Sequence, residues 1–132
     1  MVAANERTAM TFSLSPGQAG DGPEGRKLLE RWDYRPDRPL PIIMDRAYEG
    51  DETRQLTLQL GFEPVVPPKS NRVSPWEYNR EMYKRRNQIE RLFRRLKGFR
   101  RIFSRFEKLD CMFAAFIHFA FVADWLICVN TP

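Results

Sequence analysis

Tyr83-Lys84-Arg85-Arg86-Asn87-Gln88-Ile89-Glu90-Arg91-Leu92-Phe93-Arg94-Arg95-Leu96-Lys97 is the stretch on which the reading of this chain turns. Ile89, Leu92, Phe93 and Leu96 follow the i, i+3, i+4, i+7 rule of an amphipathic helix. At about 100° per residue, Tyr83, Arg86, Glu90 and Lys97 fall on one stripe beside the apolar face. A single carboxylate, Glu90, therefore sits among donors and cations at the edge of a core. The plainest reading of such a stripe is a solvated charged face, in which Glu90 to Arg94 is an i, i+4 pair contributing a few tenths of a kcal/mol. The sharper reading is a metal-binding carboxylate beside a phosphate-binding surface.

Charge supports the sharper reading. Arg80 to Lys108 holds twelve Lys/Arg against Glu81, Glu90 and Glu107, a net +9, whereas the whole chain of 132 residues carries +5 and the remainder is thus −4. Positive charge concentrated in this way points to a polyanion, most often nucleic acid. An apolar content of 42% suffices for one core, so a single domain over residues 1–132 is expected. Cys111 and Cys128 lie about 25 Å apart along a helix, too far to bridge, and His118 is the one histidine. No Cys/His metal spacing exists, a reducing cytoplasm fits, and the N-terminus has no apolar signal segment.

The chain reads outward from the basic helix as follows. Met1 to Thr8 is polar and uninformative, and Ala9 to Leu14 alternates as a short strand. Ser15 to Pro23 is a loop, and Glu24 to Trp32 a helix of about two turns. Ile42-Ile43-Met44, between Pro41 and Asp45, suits a buried strand. Asp51 to Leu60, with Leu56, Leu58 and Leu60, reads as a helix stopped by Gly61. Phe62 to Val66 is a further strand, ended by Pro67-Pro68. Lys69 to Pro75 is a loop, and Glu77 to about Lys97 one long basic helix. Gly98 to Lys108 is aromatic and basic. Asp110 is placed to cap a last helix reaching about Val129.

Strands alternating with helices imply βαβ units and a largely parallel α/β sheet, and the three visible strands make that sheet thin. Cys111 to Val129 is nearly all apolar and close to bilayer-spanning length. His118 and Asp124 lie inside it, and an Asp near a bilayer centre costs about 2.5–3.5 kcal/mol. A buried core helix, with no membrane, is the expectation.

Asp45 follows Ile42-Ile43-Met44 directly, at the C-terminal end of a strand, where open α/β sheets place functional groups. A turn cap is the simpler role for an Asp there. Two carboxylates on separate elements suit a hard cation that shares its shell with substrate phosphates, and such ions drive phosphodiester chemistry.

The spacing Tyr-x2-Arg-x3-Glu-x6-Lys, as Tyr83, Arg86, Glu90 and Lys97, resembles the signature around the catalytic glutamate of bacterial insertion-sequence transposases with a DDE site, of the insertion-sequence-four/five type. Asp45-Arg46-Ala47-Tyr48 resembles that family's motif around the second catalytic aspartate. Leu14-Ser15-Pro16-Gly17-Gln18, Pro67-Pro68-Lys69-Ser70-Asn71-Arg72, Arg94-Arg95-Leu96-Lys97 and Arg100-Arg101-Ile102-Phe103-Ser104-Arg105-Phe106 also resemble family segments. The likeness spans about residues 9 to 128.

The resemblance implies an α/β, RNase H-like fold and an enzyme, dependent on Mg²⁺ (or Mn²⁺), that cuts element ends and joins them to target DNA. It implies Asp45 and Glu90 as catalytic metal ligands. Lys97 and Arg86 would contact phosphates near the ends, Tyr83 would support the same site, and Arg94 and Arg95 are further DNA-contact candidates. The family's first catalytic Asp lies on the first strand, upstream of the Pro-Gly-Gln segment, and has no counterpart here; Asp21 reads as a loop residue. The expectation is the C-terminal half of the catalytic domain, without the first strands. It would be partnered by an upstream-encoded half, by DNA, and by further copies of itself on DNA. The alternative is an inactive truncated transposase acting as a DNA-binding remnant or regulator.

Overall fold

The computed structural model describes residues 1–129. These form two compact units, one of residues 15–86 and one of residues 1–14 and 87 onward.

The unit of residues 15–86 is built on a parallel strand pair. Strand β3 (Leu40–Ile43) lies beside β4 (Phe62–Val65), with Leu40 opposite Phe62 and Ile43 opposite Val65. Helix α2 (Asp51–Gln59) is the crossover between them and packs on β4. It ends where Gly61 takes φ +87°, a left-handed conformation that costs glycine nothing. Met44 N donates to Val65 O at 3.0 Å and so extends the ladder. Because donors alternate sides along a strand, the backbone of Ile42 also faces β4. Pro41 and Pro64, with no N–H to give, fall on the two outer edges. Helix α1 (Asp21–Arg31) contributes Leu28 and Leu29 to a core with Met44, Phe62, Val65 and Val66. Trp32 stacks on Phe62 at 5.5 Å and on Tyr34 at 5.3 Å. The α2 face that is buried carries Thr53 and Thr57, not the leucines of its sequence pattern; Leu58 is exposed. Thr57 Oγ1 is satisfied by Thr53 O at 2.6 Å, and Thr53 Oγ1 accepts from Arg26 at 3.2 Å. A buried hydroxyl bonded in this way avoids the cost of an orphan polar group.

The other unit starts with an antiparallel hairpin. Strand β1 (Val2–Ala3) pairs with β2 (Ala9–Thr11) around a turn in which Asn5 Oδ1 accepts from Arg7 N and Thr8 N. This corrects the sequence reading twice. Met1 to Thr8 is structured, and the strand beginning at Ala9 pairs with β1 rather than extending a parallel sheet. Both strand sets with their helices make a mixed α/β chain.

The expected long helix is broken. Asn79 accepts from Met82 N at 2.9 Å and starts a single turn, α3 (Arg80–Tyr83). The residues Lys84–Arg86 wind as 3₁₀, and α4 runs Asn87–Lys97. Glu77 to Asn79 lies outside any helix because Asn79 caps the first turn instead of continuing it. The angular count of 100° per residue therefore holds within α4 and not from Tyr83 to Lys97. Leu92 and Leu96 of α4 are buried.

Helix α5 (Arg100–Phe103) and helix α6 (Asp110–Val129) follow and pack on α4 and on each other. The apolar α6 is not the buried core helix its composition suggests. Ile117 and Ala120 are its buried apolar residues among those described, while Met112, Phe119, Val122 and Trp125 are exposed. It meets its unit along one edge, where Phe12 packs on His118 at 5.0 Å and on Phe121 at 6.3 Å. Its length and apolarity alone would allow a membrane crossing. Asp124 inside it is held by Arg95, with Nη2–Oδ1 at 2.7 Å and Nε–Oδ2 at 3.0 Å. Asp110 forms the first residue of α6 instead of its cap, and its carboxylate pairs with Arg105. The side chain of Cys128 lies outside the described residues; Cys111 is a free, exposed thiol.

Candidate active site

Asp45 stands immediately beyond β3, at the C-terminal end of a parallel strand, and its own turn shapes it. Its Oδ1 accepts from Arg46 N at 2.6 Å and thereby caps the 3₁₀ turn Arg46–Tyr48. Its Oδ2 accepts from Arg86 Nη1 at 3.2 Å. The capping role and the charged contact coexist, since each carboxylate oxygen has two acceptor positions. Asp45 remains exposed. Arg86 lies 5.9 Å from the ring centroid of Tyr83, and Tyr83 meets Tyr78 edge-on at 5.7 Å. Three of the expected site residues, Asp45, Arg86 and Tyr83, thus form one chain of contacts within residues 15–86.

The turn carrying Asp45 is locked by Tyr48, whose ring lies against Gly25 of α1; a Cβ there would overlap it. Burial raises the Tyr48 hydroxyl above its ordinary value, and the charges of Asp21 and Asp45 raise it further. Next along the chain, the buried Glu49 receives Lys69 Nζ at 3.2 Å and Arg72 Nη1 at 3.3 Å. Burial pushes its carboxyl up, but the hydrogen bonds and charge of Lys69, with the charge of Arg72, outweigh that and hold it below the usual value. Arg72 also pairs with Asp51. Trp76, whose Nε1 donates to Val66 O at 2.8 Å, lies under Arg54 at 3.6 Å and Arg72 at 4.5 Å. Residues 67–76 are therefore pinned at both ends. Glu49 was not among the candidates from sequence. The signal that pointed towards it is the segment Pro67-Pro68-Lys69-Ser70-Asn71-Arg72, whose two cations it holds.

Glu90 and Lys97 lie in the other unit, both on α4 and both exposed, with Glu90 in its first turn. Offsets of four and three residues put Glu90, Arg94 and Lys97 on one face of that helix. Arg94 and Lys97 make no ion pair among the described residues. Arg95 points elsewhere, to its bidentate pair with Asp124, which ties α4 to α6. Arg91 donates to Glu6 at 2.8 Å, and this hydrogen bond holds Glu6 below the ordinary carboxylate value. Among the described residues no group of three or more His, Cys, Asp or Glu is gathered as a metal-binding cluster.

The basic face of α4, with Arg94 and Lys97, is the kind of electrostatic footprint that nucleic-acid-binding proteins carry. The family described as Transposase DDE domain matches residues 1–123, and the chain belongs to it. The chain is also similar, at 33% identity over 115 residues, to a protein of Brucella ovis named "Putative transposase for insertion sequence element IS6501"; the match covers 85% of this chain and 84% of that one. No solved structure matches. Membership of this family makes DNA transposition the general function. It brings with it DNA binding, a nuclease/transferase type of activity in general, and the family's general use of a divalent metal.

Proposed function

We propose that the chain is the C-terminal part of an RNase H-like catalytic domain that cleaves insertion-sequence ends and transfers them to target DNA with Mg²⁺. Asp45 and Glu90 are its metal-ligating carboxylates. The observation that supports this most is the placement of Asp45: an exposed carboxylate at the end of a parallel strand, with the Arg86 guanidinium on it at 3.2 Å. Carboxylate oxygens are the hard donors that Mg²⁺ requires, and Mn²⁺ accepts the same set. When bound, the metal supplies an activated water or hydroxyl nucleophile and stabilises the leaving oxygen.

The side chains of this chain supply the rest. Arg86 orients Asp45 and presents a guanidinium to a DNA phosphate, a group that matches phosphate oxygens in bidentate fashion. Tyr83 backs Arg86. Arg94 and Lys97, on the face of Glu90, neutralise backbone phosphates. Arg95 has a second, structural duty through Asp124, and of the proposed contacts it is the one most tied to the fold. An upstream-encoded polypeptide supplies the remaining catalytic carboxylate, and further copies assemble on DNA.

The test is nicking of DNA bearing element ends, with Mg²⁺, by this chain with and without the upstream polypeptide. Cleavage is expected with both present and is lost in Glu90→Ala and Asp45→Asn. Undiminished cleavage in either variant overturns the assignment of that carboxylate. Full cleavage by the 132 residues alone overturns the need for a partner half.

A further inference from the structure

Phe99 to Lys108 takes no part in the residues proposed above, yet it holds three aromatic rings and four cations in ten residues. Two of its rings stand in solvent: Phe103 is 69% and Phe106 60% exposed. Two of its arginines are committed to the fold. Arg101 covers the ring of Phe116 at 4.7 Å and pairs with Glu107 at 3.2 Å. Arg105 covers Phe113 at 4.9 Å and pairs with Asp110.

Arg100 and Lys108, by contrast, make no ion pair among the described residues. Arg100 lies 6.0 Å from the ring of Phe106 and precedes Phe103 by three residues on α5, an offset that makes neighbours on a helix surface. Arg100 thus lies beside the exposed ring of Phe106 and on the same side of α5 as Phe103. The turn between the rings is held in a strained form. Arg105 has φ +39°, unusual for a residue with a Cβ, and its two contacts on α6 fix it there. Strain that the surroundings over-determine is a mark of a functional segment.

We propose that Phe103 and Phe106, with Arg100 beside the Phe106 ring and Lys108 close by in sequence, form a stacking site for unpaired DNA bases, such as those of a strand end. Bases stack on aromatic faces without regard to sequence while neighbouring cations follow the backbone. A protein partner fits less well. A second copy of this net-positive chain would bring like charges together around Arg100 and Lys108, which opposes pairing. The inference rests on the transposition reading and adds a substrate form to it, single-stranded DNA.

Anisotropy titrations of the full chain with a labelled oligothymidylate, and with a duplex of equal length, test it. Phe103→Ala/Phe106→Ala is expected to weaken oligothymidylate binding about tenfold or more and to leave duplex binding nearly unchanged. Phe103→Leu/Phe106→Leu, which keeps apolar area without a π-face, is expected to lose the same preference, so a folding defect is not the cause. Equal weakening on both DNAs, no weakening on either, or rescue by leucine overturns the stacking site. So does a shift from dimer to monomer in sedimentation of the alanine variant, which would assign the rings to a contact between copies. A wild-type chain that binds neither DNA would instead overturn the transposition reading beneath it.

Discussion

Glu49 is a buried acid whose charge is matched from two sides. Lys69 and Arg72 reach it from one loop, and Arg72 continues to Asp51 and to the ring of Trp76. Replacing Glu49 with Gln keeps its shape and removes the charge, leaving two cations on a neutral amide. The expected loss is about 1–2 kcal/mol in urea unfolding at neutral pH. The pH dependence has a definite sign. In the unfolded chain the carboxyl titrates near 4.5, and in the folded chain lower. The folded state therefore holds its proton less tightly. The stabilisation is complete above about pH 5 and is lost as pH falls from 4.5 through the lowered value. The Glu49→Gln variant should lack this part of the acid-side slope; an identical slope would mean that the pairs contribute nothing. Residue-scale partnerships of this kind are the least readable from sequence. Asp45 stood out because it follows an apolar run, but Arg86 is 41 positions away, Lys69 is 20 from Glu49, and no periodic rule links such distances.

At the scale of elements, the βαβ unit was readable because its punctuation is strong. Asp45 follows the end of β3 by two residues, Gly61 stands between α2 and β4, and Pro67 follows the end of β4 by two residues. The break between α3 and α4 was not readable. No Pro or Gly marks it, and the apolar period of Ile89, Leu92 and Leu96 runs smoothly up to it. The exposure of α6 was equally hidden, since apolar composition says that a face seeks cover without saying whether this chain provides it. Thr53 and Thr57 were missed because hydroxyls count as polar in a pattern, although each can bond within the helix or to Arg26. One helix contact makes a sharp prediction. In an interior helical position, Gly→Ala ordinarily stabilises by about 0.5–1 kcal/mol. At Gly25 of α1 the new methyl group would displace the Tyr48 ring from the turn that Asp45 caps. Gly25→Ala should therefore lower the melting temperature; a rise would show that Tyr48 moves aside freely.

For the molecule as a whole, the separation of charge was the clearest message of the sequence, and it survives in the structure as a face of α4 on which Arg94 and Lys97 have no acidic partners among the described residues. If that face holds DNA phosphates, Lys97→Ala should reduce the slope of log affinity against log salt by about 0.9 on duplex DNA. The measurement is duplex binding across a salt series, and an unchanged slope would remove Lys97 from the interface. The division at Arg86 and Asn87 was invisible, because it falls within a stretch whose basic, amphipathic pattern never pauses. A last consequence follows from the two prolines of the parallel pair. Pro41 and Pro64 each put a ring where an outward-facing backbone donor would stand. A stray strand arriving at either side finds an interrupted template, so this two-stranded core carries its own guard against fibril-like growth, written into the strands themselves.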